Sequence, residues 1–179
     1  MKYMGQPYNA AVKPLLILTP KEKILVDTGI GELPEKYQKL YNVKRTNQEN
    51  LKAQLAQHDL RPEDIDIVVN THCHSDHMGG NRAVQERFAC RTTIPAGEAP
   101  LVDAWDEQAL MLGFADQRAD RFGYDDTLAA GERFRMGELD WQALAAPGHE
   151  HQIITLCRQA PRIRRSNPCG RARDQRQRS

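Results

Sequence analysis

The sequence predicts an α/β fold, and three observations carry that prediction. Short aliphatic runs that read as strands alternate along the chain with stretches whose apolar residues recur at helical spacing. The run Ile65-Asp66-Ile67-Val68-Val69 is compact and rich in β-branched residues, as a buried strand is. Across 179 residues, 40% apolar and 27% charged side chains are enough to build a globular core and its solvated surface. No stretch approaches the roughly 18 apolar residues of a membrane span; the longest aliphatic cluster is Leu15-Leu16-Ile17-Leu18. No leader with a basic stretch, an apolar core and a small-residue cleavage site opens the chain, so a signal peptide is not expected. Cys73, Cys90, Cys157 and Cys169 show no C-x-x-C spacing, which points to a reducing cytoplasm. A membrane protein, a disulfide-knotted secreted protein and a long disordered chain are excluded.

Taken in order, residues 13–19 and 23–27 read as two strands separated at Pro20. Thr46-Asn47-Gln48-Glu49 fits a capping box at the start of a helix that presents Leu51 and Leu55 on one face and stops at Arg61-Pro62. Residues 65–69 form the buried strand, and the histidine-rich segment beginning at His72 sits on a loop at its C-terminal end. Gly79-Gly80 leads into a second helix through Val84 and Phe88, and residues 91–94 suit another strand. Pro100 suits the first turn of a third helix carrying Leu101, Trp105 and Leu112 before Gly113, all three read as core. Residues 139–145 and 152–156 read as strands flanking Pro147-Gly148-His149.

The net charge of +1 hides a split. Residues 1–150 hold 17 basic and 23 acidic side chains, whereas residues 151–179 hold eight arginines and one acid, Asp174. All eight lysines lie between Lys2 and Lys52, and 15 of the 17 arginines lie from Arg82 onward. Surface chemistry does not demand that exchange; a shift in coding bias would produce it, so a chimeric or frameshifted origin is one reading. Residues 158–179 have Ile163 as their one large aliphatic residue, too little to offset the entropy of ordering, and are expected to be a solvated tail beside a domain over 1–157. The tail has no aromatic residue, so nucleic-acid binding is not expected.

The chemistry concentrates in His72-Cys73-His74-Ser75-Asp76-His77, three imidazoles and a carboxylate within six residues. Imidazole nitrogen and carboxylate oxygen are the usual donors to zinc. In an extended segment residues two apart point the same way, so His72 and His74 can converge on one ion, and a turn after Ser75 would swing Asp76 and His77 to a neighbouring position. Cys73, between the two histidines, would point away and serve as a small filler. His58 lies on the polar side of its helix and is expected to be solvated.

This cluster, following a hydrophobic strand and preceding Gly79-Gly80, resembles the signature of the metallo-β-lactamase-fold hydrolases. Asp27 in Val26-Asp27-Thr28-Gly29 resembles that superfamily's upstream aspartate, which supports the metal loop from a neighbouring strand end. Pro147-Gly148-His149 resembles its next landmark, a loop histidine that completes the first metal site. The resemblance spans residues 12–157 and implies a partial αββα sandwich whose second half is largely missing. It also implies that His72, His74 and His149 hold a first zinc and that Asp76 and His77 contribute to a second. The family's later bridging aspartate and final histidine have no counterpart, which leaves one ion with a complete set of three protein ligands. His151 could orient a ligand or substrate, or be an exposed loop residue. The implied activity is hydrolysis of an ester, thioester, lactone or related bond in a small-molecule substrate. Zinc would lower the pKa of bound water to about 7, with Asp76 orienting that water or binding the second ion. The alternative is a non-catalytic metal-binding remnant of such an enzyme.

Overall fold

The first two aliphatic runs become antiparallel strands, β1 (Leu15–Leu18) and β2 (Lys23–Val26), paired from Leu15–Val26 to Leu18–Lys23. Their turn is closed by Thr19, whose hydroxyl donates to the Glu22 carbonyl at 2.7 Å and accepts the Glu22 N–H at 2.9 Å. The computed structural model describes residues 12–30, 35–40, 50–112, 119–148 and 152–159. Within these, β2 is followed by three strands parallel to it: β3 (Ile67–Val69), β4 (Arg91–Pro95) and β5 (Asp126–Leu128), in the spatial order β1-β2-β3-β4-β5.

Parallel neighbours need crossover connections, and the intervening chain supplies helices for them. Helices α1 (Glu35–Leu40) and α2 (Leu51–Ala56) lie between β2 and β3 in the chain, α3 (Ser75–Met78) and α4 (Asn81–Phe88) between β3 and β4, and α5 (Ala99–Ala104) between β4 and β5. A second, antiparallel sheet follows in chain order: β6 (Arg133–Met136), β7 (Leu139–Ala145) and β8 (Ile154–Arg158). Gly137 and Glu138 join β6 to β7 with φ of 60° and 66°, the left-handed pair that a two-residue hairpin turn requires.

Side-chain alternation along the central strands divides the core. Ile24, Ile67 and Val69 face Trp141, Ala143 and Ile154 of the three-stranded sheet. Their neighbours Leu25 and Val68 face the other way, onto Leu55 of α2 and Val84 of α4. Helices, five-stranded sheet and three-stranded sheet are therefore stacked as three of the four layers of an αββα sandwich. Arg133, Arg135, Asp140 and Thr155 of the second sheet are exposed.

Several elements differ from expectation. Helix α2 starts at Leu51, with Asn50 as its cap accepting the Ala53 N–H at 2.8 Å, whereas Thr46 to Glu49 lie outside the described residues. The expected third helix ends at Ala104, because Trp105 adopts a left-handed conformation with φ of 54°. Leu112 is thus not on that helix, although it still packs in one cluster with Leu101 and Trp105. The last strand lies two residues later than expected, and β5 and β6 had no counterpart in the sequence reading.

Candidate metal centre

Strands β2, β3 and β4 run parallel, so their carboxyl ends open onto one edge, where α/β folds gather their functional loops. Asp27 follows β2 with φ of 61°, a backbone state that aspartate tolerates better than most residues. It holds the loop after β3 at two residues. Its Oδ1 accepts the Thr71 N–H at 2.8 Å, and its Oδ2 accepts the Thr71 hydroxyl at 2.9 Å and lies 2.8 Å from His77 Nδ1. On its other side, the Thr71 carbonyl accepts the Ile154 N–H at 3.0 Å, so one residue is held from both sheets.

The histidine-rich segment is extended through His74 and then turns into α3, whose first turn is closed by the His77 and Met78 N–H groups on the His74 carbonyl at 2.9 and 3.1 Å. A buried amide pair fixes the end of that turn. Asn81 donates to Asn70 Oδ1 at 2.7 Å and accepts the Thr28 hydroxyl at 2.9 Å, while Asn70 donates to the His77 carbonyl at 3.3 Å. Gly80 is in close contact with Thr28, where a Cβ would lie 3.0 Å from the Thr28 Cβ.

One nitrogen from His72, one from His77 and one oxygen from Asp76 lie within 4.8 Å of one another. The His72 ring centroid is 3.8 Å from that of His77 and 4.7 Å from that of His74. Asp76 Oδ2 is 3.6 Å from His77 Nε2. His149 and His151 lie outside the described residues. Two imidazoles and a carboxylate are a borderline donor set, and this group could hold a divalent metal ion.

Burial is the largest influence on His77 and opposes its protonation, but the carboxylates of Asp27, Asp76 and Glu98 together outweigh it, and the pKa is raised above its ordinary value. Facing a carboxylate, Nδ1 carries the proton and Nε2 keeps its lone pair for a ligand. Cys73 is fully buried among Met78, Ile94 and Val102. Burial first, then the charge of Glu98, pushes its thiol pKa well up, so it stays protonated and is a filler rather than a donor. His58 is exposed.

Glu98, Asn70 and Asn81 carry no local signal that marks them as part of the site. Glu98 is 2% exposed and its Oε2 accepts the Cys73 N–H. An acid directly after a buried strand is a weak signal, because its partner here is a backbone group 25 positions away.

A histidine and aspartate cluster that could hold a metal ion therefore lies at the carboxyl edge of a two-sheet α/β sandwich. A family model for the metallo-beta-lactamase superfamily matches residues 11–163, and the chain belongs to that superfamily. Over 91 residues, half of this chain, it is 30% identical to a hydroxyacylglutathione hydrolase of Methylococcus capsulatus and 26% identical to a beta-lactamase hydrolase-like protein of Agrobacterium fabrum. Those segments cover 28% and 20% of the two relatives. The fold superposes on the metallo-beta-lactamase GOB-18 of Elizabethkingia meningoseptica with a TM-score of 0.62 at 20% identity, covering 85% of this chain and 51% of that one. The chain thus spans about half the length of this solved structure and less of the curated relatives. No helix among the described residues is long and apolar enough to cross a membrane.

Proposed function

We propose that this chain is a hydrolase that uses zinc to cleave an ester, thioester, lactone or related bond in a small-molecule substrate. The observation that carries the proposal is the convergence of His72, Asp76 and His77 donor atoms in a chain of the metallo-beta-lactamase superfamily. In this reading His72, His74 and His149 hold one ion, and Asp76 and His77 contribute to a second. Asp27 and His151 support them, and residues 1–157 act as one domain with 158–179 as a solvated tail. Bound zinc would supply a Lewis acid that polarises the scissile carbonyl and acidifies water.

The chain's own residues set that chemistry up. Asp27 takes the Nδ1 proton of His77 as a hydrogen bond and so aims the Nε2 lone pair away from the sheet. Asp76, whose side chain is 40% exposed, faces solvent where it can accept a proton or orient a water hydrogen. Four matched relatives carry the name hydroxyacylglutathione hydrolase, which makes an acylglutathione thioester the first substrate to test. Cys73, Cys90 and Cys157 are free thiols, in keeping with a cytoplasmic setting.

The test is metal analysis of the purified protein followed by turnover of an acylglutathione, a lactone and a chromogenic cephalosporin. Activity that is lost in His72→Ala together with bound zinc is the expected result. A second reading is metal binding without turnover; zinc uptake with no hydrolysis would support it. A protein that takes up no metal would refute both.

A further inference from the structure

The third parallel strand ending on this edge brings a carboxylate that the proposed ligand set leaves unused. Glu98 closes the short 3-10 turn Ala96–Glu98 directly after β4 and is 2% exposed. Its Oε2 accepts the N–H of Cys73, the residue between His72 and His74. The Cys73 side chain is fully buried against Met78, Ile94 and Val102, so this peptide is anchored on one side by packing and on the other by the carboxylate. With the Cys73 side chain turned into the core, the flanking His72 and His74 rings are left together, 4.7 Å between centroids. A Cβ at Gly97 would overlap the side-chain amide of Gln152, so the turn lies against the residue that leads into β8.

We propose that Glu98 is a positioning residue for the metal centre, its buried carboxylate fixing the Cys73 peptide so that the His72 and His74 imidazoles are gathered before an ion arrives. The inference rests on the metal-centre reading above. Glu98 acts in two separable ways. As an acceptor it fixes one peptide. As a charge it acts on His77 together with Asp27 and Asp76, which makes the edge more favourable to a cation.

Glu98→Gln keeps an acceptor oxygen and removes the charge, whereas Glu98→Ala removes both. Cobalt(II) titration of the metal-free protein, followed by visible absorption, reads the affinity of each. Amide hydrogen exchange at Cys73 in the metal-free state reads the positioning without any ion. We expect cobalt affinity to fall about tenfold in Glu98→Gln and towards 100-fold in Glu98→Ala, the range for groups that orient metal ligands. Cys73 exchange should be faster in Glu98→Ala than in Glu98→Gln. Leu55→Ala, which loosens the separate cluster under α2 and touches neither Cys73 nor the carboxylate, serves as the control. It should lower the unfolding temperature and leave cobalt affinity within about twofold of wild type.

Wild-type cobalt affinity in Glu98→Ala would overturn the proposal, and the near-isosteric Glu98→Leu, which also lacks an acceptor, decides if Glu98→Ala does not fold. So would an equal loss of affinity in Leu55→Ala at matched stability. A wild-type protein that takes up no cobalt would instead sink the metal-centre reading and this inference with it, an outcome distinct from wild type and variant binding alike.

Discussion

Replacing Asp27 by Asn changes one atom of a side chain that fixes the metal loop at Thr71 and His77. Asparagine tolerates the same left-handed backbone, so the substitution isolates the carboxylate. The side chain is 8% exposed and accepts at 2.8, 2.9 and 2.8 Å, two of the three contacts on Oδ2. An amide nitrogen in place of either oxygen faces a donor. Loss of a hydrogen bond to a charged group at a largely buried site is worth about 1.5–3 kcal/mol, which lowers Tm by about 3–12 °C in a chain of this size.

The loss should depend on pH. Burial lowers the His77 pKa, and Asp27, with Asp76 and Glu98, raises it by more, so the folded value lies above the unfolded one. A raised pKa gives stability that is fully present below the unfolded value of about 6.5 and disappears as pH climbs through the folded value. Asp27→Asn should therefore cost most near about pH 5.5 and less near about pH 8.5, where the Thr71 contacts still contribute. Thermal unfolding of the metal-free protein at both pH values, with the His77 titration followed by NMR, measures this. Equal penalties at the two pH values and an unmoved His77 titration would refute the reasoning.

Two further outcomes follow from the same geometry. Asn81→Ala removes a side chain that is 1% exposed and strands its Thr28 and Asn70 partners, so unfolding free energy should fall by about 1–3 kcal/mol, as read by urea denaturation; an unchanged midpoint would count against the amide pair. Apparent cobalt affinity in the wild type should drop about tenfold per pH unit below the His77 pKa, one proton being displaced by the ion, and Asp27→Asn should move that onset to lower pH.

The parts of the fold legible in the sequence are those where local pattern and tertiary environment agree. Residues 139–145 alternate cleanly and form β7 with those bounds, and the β-branched run before Asn70 ends in β3. Strand β5 has three residues with two of them exposed, and β6 reads Arg-Phe-Arg-Met, so neither carries enough apolar pattern to stand out. The helix after Pro100 looked longer because Leu101, Trp105 and Leu112 do share a core cluster; spacing could not reveal that Trp105 turns the chain out of the helix. At the site, His72, Asp76 and His77 are neighbours in sequence, so one motif exposes the group that converges in space. Glu98 and the Asn70–Asn81 pair act through contacts 25 and 11 positions apart, which no local pattern records.

Thr71, held at its N–H by Asp27 and at its carbonyl by Ile154, ties the residue before the first histidine to both sheets. Fraying of the final strand releases the carbonyl side of that clamp, one residue from a proposed donor. Alterations to the chain beyond β8 should therefore register as weakened ion retention while the parallel sheet is still intact, and occupancy of the centre becomes a gauge of whether the carboxyl-terminal strand is seated.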